Sequence, residues 1–188
     1  PLEQLITSTP PPTIFKRRLQ GVLKNARHIL ALINQLLDLS KIESGRMKVE
    51  LVKGDIVDYT RELINRFQSM SKNKGQKLYF LSDKKSWVIN FDNKKWDKIV
   101  YNLLSNAIKF TPEGKEIQVN LAEIYNQDEA HLKLCVRDTG IGIPEDQLEH
   151  IFDRFYQVDH SATREQQGTG IGLSLVKELI HLQNGTIE

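Results

Sequence analysis

The pattern of apolar positions over residues 14–44 predicts one long amphipathic helix. The positions recur at alternating steps of four and three residues, at Phe15, Leu19, Val22, Ala26, Ile29, Ile33 and Leu36, and the register continues to Ser40. Leu23, Leu30 and Leu37 form a second stripe. So wide an apolar face is typical of a four-helix bundle rather than of a two-stranded coiled coil.

A second helix of this bundle is expected in the short segment before Pro10-Pro-Pro12, because the prolines force a turn. Two helices cannot close a four-helix bundle, so the pattern predicts a homodimer through the N-terminal helices. The alternative is a helix that lies along its own domain, which would leave one stripe exposed.

The rest of the chain alternates between strand-like and helix-like patterns. Gly45 ends the long helix, Met47, Val49 and Leu51 alternate as in a strand, and Asp55 is suited to cap a helix that runs to about Lys74. Further elements are expected as strands at 78–81 and 87–91, a helix opening at Asp92 or Asn93, a hairpin of 117–124 and 131–137, a short helix at 147–155, a polar loop at 157–167, and a helix at 170–183 closed near Gly185. This order predicts an α/β (α+β) sandwich, in which helices cover one face of a mixed sheet.

Composition excludes several classes of function. The chain has 188 residues and a net charge of only +2, so it carries no nucleic-acid footprint. A single cysteine, Cys135, excludes internal disulfides and multi-cysteine metal sites, and its place in a strand pattern suggests a small packing residue. No signal peptide is visible, and no apolar run approaches the ~20 residues that a membrane span needs.

A polar cluster lies on the helix that opens near Asp92. At about 100° per residue, Asn102, Asn106 and Lys109 fall within roughly 60° of arc. The opposite face is apolar, with Val100, Leu103, Leu104, Ala107 and Ile108. A merely solvated face would favour Lys and Glu over Asn, which is a mediocre helix former. Carboxamide oxygens suit Mg²⁺, which keeps waters and phosphate oxygens as its other ligands, and an ammonium suits phosphate.

Two glycine signatures follow this helix, the first of which is Asp138-Thr-Gly-Ile-Gly-Ile-Pro144. It comes directly after a strand pattern. A carboxylate such as that of Asp138 can accept a hydrogen bond from an exocyclic amine such as that of adenine, while Gly140 and Gly142 let the backbone approach a flat ring. The alternative is a simple turn that ends a strand.

The second signature, Gly168-Thr-Gly-Ile-Gly-Leu173, precedes a helical apolar pattern. Exposed N–H groups at a helix start form a phosphate site. The alternative is a flexible hinge. Neither signature is a Walker loop, and the spacing differs from the dinucleotide-binding fingerprint.

Together these motifs resemble the nucleotide-binding domain of sensor histidine kinases, a GHKL or Bergerat fold. The N box corresponds to 102–109, the G1 box to 138–142, the F box to Phe152-Asp-Arg-Phe-Tyr156 and the G2 box to 168–173. The resemblance divides the chain into part of the dimerisation helices at 1–44, where 34–45 resembles the end of the second helix, and an ATP-binding domain at 45–188. The sequence of the N-terminal stretch is similar to that of hybrid kinases, which carry receiver domains in the same polypeptide.

The resemblance implies ATP and Mg²⁺ as ligands and phosphoryl transfer to a histidine and then to a receiver aspartate. It implies that Asn106 ligates Mg²⁺ with help from Asn102, that Lys109 contacts phosphate and that Asp138 recognises adenine. The ATP site that it implies also includes Phe110, Gly140, Gly142, Ile143, Gly168, Thr169, Gly170, Ile171, Gly172 and Leu173. The polar loop after the F box would be the lid over the nucleotide, although an ordinary surface loop fits the pattern equally well. The implied setting is a cytoplasmic segment of an inner-membrane sensor protein, which works with a receiver domain in the same or a separate chain.

The sequence departs from the family pattern at three places. No acceptor motif of His, Glu or Asp, Arg, Thr and Pro occurs, so this chain is expected to bind ATP without autophosphorylating. The stretch 185–188 is similar to the first residues of a strand whose remainder and partner are missing. Gln157 stands where many relatives have an Arg that faces the phosphates. Arg154 and Arg164 are the candidates to take the place of that Arg.

Two other functions fit parts of the sequence. Related ATPases of the chaperone and topoisomerase types have a Glu at the position of Asn102 that acts as general base for water, and a carboxamide cannot accept that proton. A nucleotide-sensing dimeric scaffold without phosphotransfer is disfavoured by the intact N box and glycine boxes.

Overall fold

The computed structural model describes residues 13–126, 129–158 and 169–188. The chain divides into two units, residues 1–46 and residues 47–188. Within the described residues, no helix is both long and apolar enough to cross a membrane.

The described part of the first unit consists of helix α1, Thr13–Glu43, as the heptad-like pattern predicts. The helix ends in a Schellman motif. Gly45 has a φ of +65°, its N–H donates to the carbonyl of Ile42 at 2.9 Å, and the N–H of Arg46 donates to the carbonyl of Lys41 at 2.9 Å. The expected helix before Pro10 lies outside the described residues.

The second unit contains nine helices and strands among its described residues. In chain order they are β1 (Val52–Asp55), α2 (Ile56–Asn73), β2 (Lys77–Ser82), β3 (Val88–Phe91), α3 (Asn93–Phe110), β4 (Glu116–Asn126), β5 (Glu129–Asp138), a 3₁₀ helix (Glu145–His150) and α4 (Gly172–His181). Two side-chain caps set helix starts: Asp55 accepts from the N–H groups of Val57 and Asp58, and Asp92 accepts from the N–H of Lys95.

The strands form two ladders. β2 pairs in parallel with β4, which pairs antiparallel with β5, so Leu78, Ile117 and Asp138 stand side by side. β1 and β3 form a separate antiparallel pair in the register Val52 to Phe91. The mixed sheet is as predicted, but its division into two ladders is not.

The main core lies between the helices α2 and α3 and one face of the larger sheet. Alternation along the strands sends one set of side chains inward, and the helices contribute apolar stripes. The buried residues of this core are Leu63, Ile64, Phe67, Leu78, Val100, Leu104, Ala107, Ile108, Ile117 and Val119. On the opposite face, Tyr79 and Leu81 are exposed, which agrees with helices covering one face only.

Two predictions about the strands are wrong. Residues 47–51 are not a strand, because the carbonyl of Lys48 and the N–H of Glu50 bond to side chains of α3 instead of to a ladder. Cys135 is exposed on the open face of the sheet rather than packed, since its neighbours Leu134 and Val136 are the residues that turn inward.

The F-box region and the C-terminal end also differ from the prediction. In place of a helix at 147–155, a 3₁₀ helix ends at His150, and Phe155 has a φ of +64°, which no right-handed helix allows. The closing turn of α4 occurs where predicted, with Asn184 at a φ of +57° and the N–H of Gly185 bonded to the carbonyl of Ile180. Residues 185–188 belong to no strand.

Asp55 is predicted to stabilise the second unit through α2. Its carboxylate accepts hydrogen bonds from the Ser86 hydroxyl and the N–H groups of Trp87, Asp58 and Val57, which hold its pKa below the ordinary value. We expect Asp55→Ala to lower the free energy of unfolding by about 1–2 kcal/mol at pH 7. Because the folded pKa is depressed, the contribution is present above the unfolded pKa of about 3.9 and disappears as pH falls through the folded value.

Urea unfolding followed by tryptophan fluorescence measures this effect, since both tryptophans, Trp87 and Trp96, lie in the second unit. The control is Asp58→Ala, which removes an exposed ion pair with Arg61 and is expected to change stability by under ~0.5 kcal/mol. A difference between wild type and Asp55→Ala that persists unchanged to pH 2 would contradict the assignment.

Candidate functional site

The polar face of α3 is where the sequence predicts it. Val100, Leu104, Ala107 and Ile108 are buried, whereas Asn102, Asn106 and Lys109 are only half-buried. The Asn102 Nδ2 donates to the carbonyl of Lys98 at 2.7 Å, which fixes the orientation of that carboxamide. The carboxamide of Asn106 makes no hydrogen bond to any residue that the structure describes.

Lys109 lies in a cationic environment. Its ammonium is 4.4 Å from the centroid of the Phe110 ring. Burial lowers the pKa of Lys109, and the nearby charge of Lys74 lowers it further. Within the described part of the chain, no carboxylate forms a salt bridge with Lys109, so an anion that bound there would relieve an unfavourable arrangement.

The first glycine loop is attached to the C-terminal end of α3. Asp138 ends β5 and its Oδ1 accepts the N–H of Gly140 at 2.8 Å. The N–H of Ile141 then donates to the carbonyl of Phe110 at 3.3 Å. A Cβ on Gly140 would come within 2.6 Å of that same carbonyl oxygen, so only glycine permits the contact.

The remaining residues of this loop are exposed. Gly142 has a φ of +72°, a left-handed conformation that favours glycine. Ile141 and Ile143 are exposed on either side of it. Sequence patterns gave no signal for Thr139, whose hydroxyl accepts the N–H of Glu116 and donates back to its carbonyl.

The second glycine signature meets the middle of α3. Gly172 is the first residue of α4, and a Cβ there would lie 2.9 Å from the Asn102 Oδ1. Ile171 is fully buried and Leu173 is half-buried, while the Thr169 hydroxyl accepts the N–H of Ile171 at 3.2 Å. The two signatures therefore lie against the C-terminal end and the middle of one helix.

The F box lies against the second signature. Gly170 has a φ of +68°, its carbonyl accepts the N–H of Phe155 at 2.8 Å, and a Cβ on it would come within 2.7 Å of the Phe155 Cα. Phe155 itself is exposed, so its ring is not part of a core. Gly168, the predicted lid loop beyond Val158 and Arg164 lie outside the described residues.

The sequence did not predict the residues that cap the C-terminal end of α3. Gln76, which is buried, donates from its Nε2 to the carbonyls of Ile108 and Thr111. Lys74 donates from its Nζ to the carbonyl of Ile108 at 3.0 Å. Both residues belong to the α2–β2 connection, and no local pattern in the sequence indicates which distant carbonyls they would reach.

A metal ion at this site would have few protein ligands. Among the described residues, no group of three or more His, Cys, Asp or Glu side chains could hold a metal. The oxygens offered on the α3 face are those of carboxamides. Such a surface fits a cation that arrives with its own anionic oxygens, as Mg²⁺ does with a nucleotide.

Comparison with known proteins agrees with this geometry. Residues 91–188 match the family described as "Histidine kinase-, DNA gyrase B-, and HSP90-like ATPase". The chain is 32% identical over its whole length to hybrid signal transduction histidine kinase D of Dictyostelium discoideum. It is 34% identical over 92% of its length to the autoinducer 2 sensor kinase/phosphatase LuxQ of Vibrio harveyi, and 33% identical over 93% of its length to sensor histidine kinase WalK of Bacillus subtilis. The chain spans only 12%, 20% and 28% of these three relatives.

Solved structures support the fold. Full-length ShkA in complex with AMPPNP superposes with a TM-score of 0.78 at 23% identity, over 97% of this chain and 37% of that one. The Acinetobacter baumannii histidine kinase AdeS gives a TM-score of 0.67 at 20% identity, over 100% of this chain and 83% of that one. The predicted α/β sandwich with a mixed sheet is confirmed.

The two glycine contacts on α3 are predicted to differ in their tolerance of a methyl group. A Cβ at position 140 would meet a backbone carbonyl that cannot move without shifting α3, so Gly140→Ala should destabilise the second unit by about 1–3 kcal/mol. A Cβ at position 172 would meet only the end of the Asn102 side chain, which can turn aside by giving up its hydrogen bond to the carbonyl of Lys98. Gly172→Ala is therefore the matched control, expected to cost under ~1 kcal/mol in urea unfolding followed by tryptophan fluorescence. Equal losses in the two variants would show that the contact with Phe110 is not rigid.

Proposed function

The chain belongs to the family of histidine kinase-, DNA gyrase B- and HSP90-like ATPases, and from this membership we propose that it is the ATP-binding catalytic portion of a sensor histidine kinase. In this proposal the γ-phosphoryl group of ATP passes to a histidine and then to a receiver aspartate in two-component signal transduction. The observation that carries the proposal is the convergence on α3. One helix face presents Asn102, Asn106 and Lys109, and the two glycine signatures contact the same helix at its C-terminal residue Phe110 and at Asn102.

Asn106 is proposed as the protein ligand of Mg²⁺, with Asn102 assisting. The half-buried carboxamide of Asn106 makes no hydrogen bond to any described residue, so it can coordinate a metal ion without losing a bond to one of them. Asn102 would coordinate through its Oδ1, since its Nδ2 donates to the carbonyl of Lys98. Bound Mg²⁺ would supply neutralisation of charge on the phosphates.

Lys109 is proposed to hold the phosphates. Its pKa is lowered by burial and by Lys74, and an incoming phosphate would stabilise the charged form. The backbone at Thr169, Gly170, Ile171, Gly172 and Leu173 is proposed to lie along the triphosphate, together with Gly168. Phosphoryl transfer needs mainly positioning and charge stabilisation, which are what these residues can provide.

The base is proposed to lie against the first glycine loop. The hydrogen bond from Gly140 fixes the Asp138 carboxylate, which can accept a bond from the exocyclic amine of adenine. Because Gly140 and Gly142 have no side chains, the adenine ring can approach the backbone of this loop closely. Ile143 and Phe110 offer apolar surface to the ring.

Helix α1 is proposed to pair with a second copy of itself in a four-helix bundle. Its apolar stripes remain exposed, with Val22, Ile29, Leu30, Ile33, Leu36 and Leu37 each above 40% accessible. In this setting the chain is a cytoplasmic segment of a membrane sensor, its partner is a receiver domain, and no nucleic acid is bound by this segment. ThkA, one of the solved relatives at 18% identity, is described in complex with the response regulator protein TrrA.

The nucleotide site is tested by calorimetry with Mg-ATP and a non-hydrolysable analogue. We expect binding by wild type and a loss of affinity on the order of ten-fold, about 1.4 kcal/mol, in Asn106→Ala, because the variant removes the metal ligand. Asn93→Ala makes the same chemical change on the same helix, about 20 Å away at 1.5 Å per residue, and should bind as wild type does.

Three outcomes of this test would contradict the proposal. Absence of binding in wild type would favour a scaffold, and steady phosphate release would favour an ATPase. Stable acid-labile label on this chain after incubation with γ-labelled ATP would show that one of its five histidines is an acceptor.

The dimer is tested by sedimentation equilibrium. Leu30→Glu places a carboxylate in the exposed apolar stripe and should shift the population to monomer, because the bundle would have to bury an unpaired charge. Gln20→Glu adds the same carboxylate at an exposed polar position of α1 and should leave the dimer intact. A monomeric wild type at all concentrations would refute the assignment of α1.

A further inference from the structure

A buried ion pair ties the beginning of the second unit to α3. The Lys95 Nζ lies 2.6 Å from the Asp92 Oδ2, and the two side chains are only 8% and 1% exposed. The pair also binds two backbone groups of the segment that precedes β1. Lys95 donates to the carbonyl of Lys48 at 2.6 Å, and the Asp92 Oδ2 accepts the N–H of Glu50 at 2.7 Å.

The hydrogen-bond partners of Asp92 stabilise its carboxylate form. Burial by itself would raise the pKa of the Asp92 carboxyl, but the hydrogen bonds from Lys95 and from the N–H groups of Glu50 and Lys95 hold it below the ordinary value. A buried ion pair resists opening, because separating it would leave a buried charge without a partner. The segment 48–50 is therefore held by a strong constraint in addition to the exposed ion pair of Glu50 with Lys94.

Hydrogen bonds hold the backbone of the first unit up to two residues before Lys48. Its C-terminal turn continues to Arg46, whose N–H donates to the carbonyl of Lys41 at 2.9 Å. The next anchored group along the chain is the carbonyl of Lys48. Met47 is thus the residue that separates a backbone fixed to α1 from a backbone fixed to α3.

We propose that Lys95 is a positioning residue for phosphoryl transfer: with Asp92 it confines the tether between the two units to the residues around Met47. This inference rests on the proposed function, in which the phosphoryl acceptor lies on the α1 side of that tether and the nucleotide on the α3 side. The Asp92–Lys95 clamp neither touches the nucleotide nor takes part in the chemistry. It sets how far the nucleotide site can move from the acceptor.

Opening the clamp would lengthen the tether about threefold. From Arg46 to Lys48 an extended chain spans at most ~7 Å, whereas from Arg46 to Val52, the first residue of β1, it spans ~20 Å. The effective concentration of one tethered partner near another falls roughly as the −3/2 power of tether length. A threefold longer tether therefore predicts an approximately fivefold slower transfer within the molecule, with ATP affinity unchanged.

The first test uses this chain and does not depend on ATP. Lys95→Met removes the donor to the carbonyl of Lys48, so trypsin should cleave the bond after Lys48 faster than in wild type. The matched control is Lys94→Met, since Lys94 is the adjacent lysine and also binds this segment, but through an exposed pair with Glu50 at 2.9 Å. That control should be cleaved at the wild-type rate, and tryptophan fluorescence reports whether each variant is folded.

The second test measures transfer in a longer form that carries the acceptor histidine. Lys95→Met should lower the rate of histidine phosphorylation about fivefold at saturating ATP and leave the KM for ATP unchanged. A variant with Gly-Ser inserted between Arg46 and Met47 keeps the clamp and doubles the tether, so it should slow transfer about threefold. This insertion leaves the core untouched and decides the matter if Lys95→Met does not fold.

The outcomes separate the two proposals. Unchanged cleavage after Lys48 in folded Lys95→Met, or unchanged transfer in the insertion variant, would overturn the role of the clamp. A parallel loss of ATP affinity in Lys95→Met would show that the clamp supports the site itself and not the tether. If the wild-type longer form binds no ATP or transfers nothing, the proposed function fails, while the cleavage test still decides whether Lys95 anchors the segment.

Discussion

The structure of the second unit depends on the division of α3 into an apolar and a polar face. Val100, Leu104, Ala107 and Ile108 are all under 5% exposed and pack against the sheet and α2. Because that packing fixes the rotation of the helix, it also fixes where the polar face points. The core packing thus positions the helix face that carries the candidate ligands.

The backbone of the two glycine signatures approaches α3 closely at its C-terminal end and at its middle, and glycine is the residue that makes this possible. Gly140 approaches the carbonyl of Phe110, and Gly172 approaches the side chain of Asn102. A larger residue at 140 would separate the first loop from the helix. The two glycine signatures are therefore important for close packing as well as for any approach to a ligand.

The electrostatics at the C-terminal end of α3 favour an anionic ligand. The carbonyls there are bonded by Gln76 and by Lys74, and Lys109 adds a second ammonium. Cations complement the negative end of the helix dipole, but two of them near each other depress the pKa of the more buried one. A bound polyanion would offset this repulsion. The residues that cap the helix therefore contribute to the electrostatic potential of the site, although they belong to none of the sequence motifs.

The parts of this protein that could be predicted from sequence are those set by short-range periodicity. The caps Asp55 and Asp92, the spacing of Asn102 and Asn106, and the strand alternation all act within a few residues. The prediction of a strand at 47–51 was wrong because backbone groups of this segment bond to Asp92 and Lys95, which lie more than forty residues later in the sequence. The same limit explains why Gln76 was missed.

One rigid element joins the tether to the candidate site. Helix α3 begins beside the clamp of Asp92 and Lys95 and carries Asn106 and Lys109 toward its other end, over 18 residues or about 27 Å. A helix packed along its length transmits a displacement of one end to the other instead of absorbing it. The anchor near Met47 and the proposed metal ligand are consequently connected by one rigid helix. A larger range of motion at the anchor therefore gives a larger range of positions for the nucleotide.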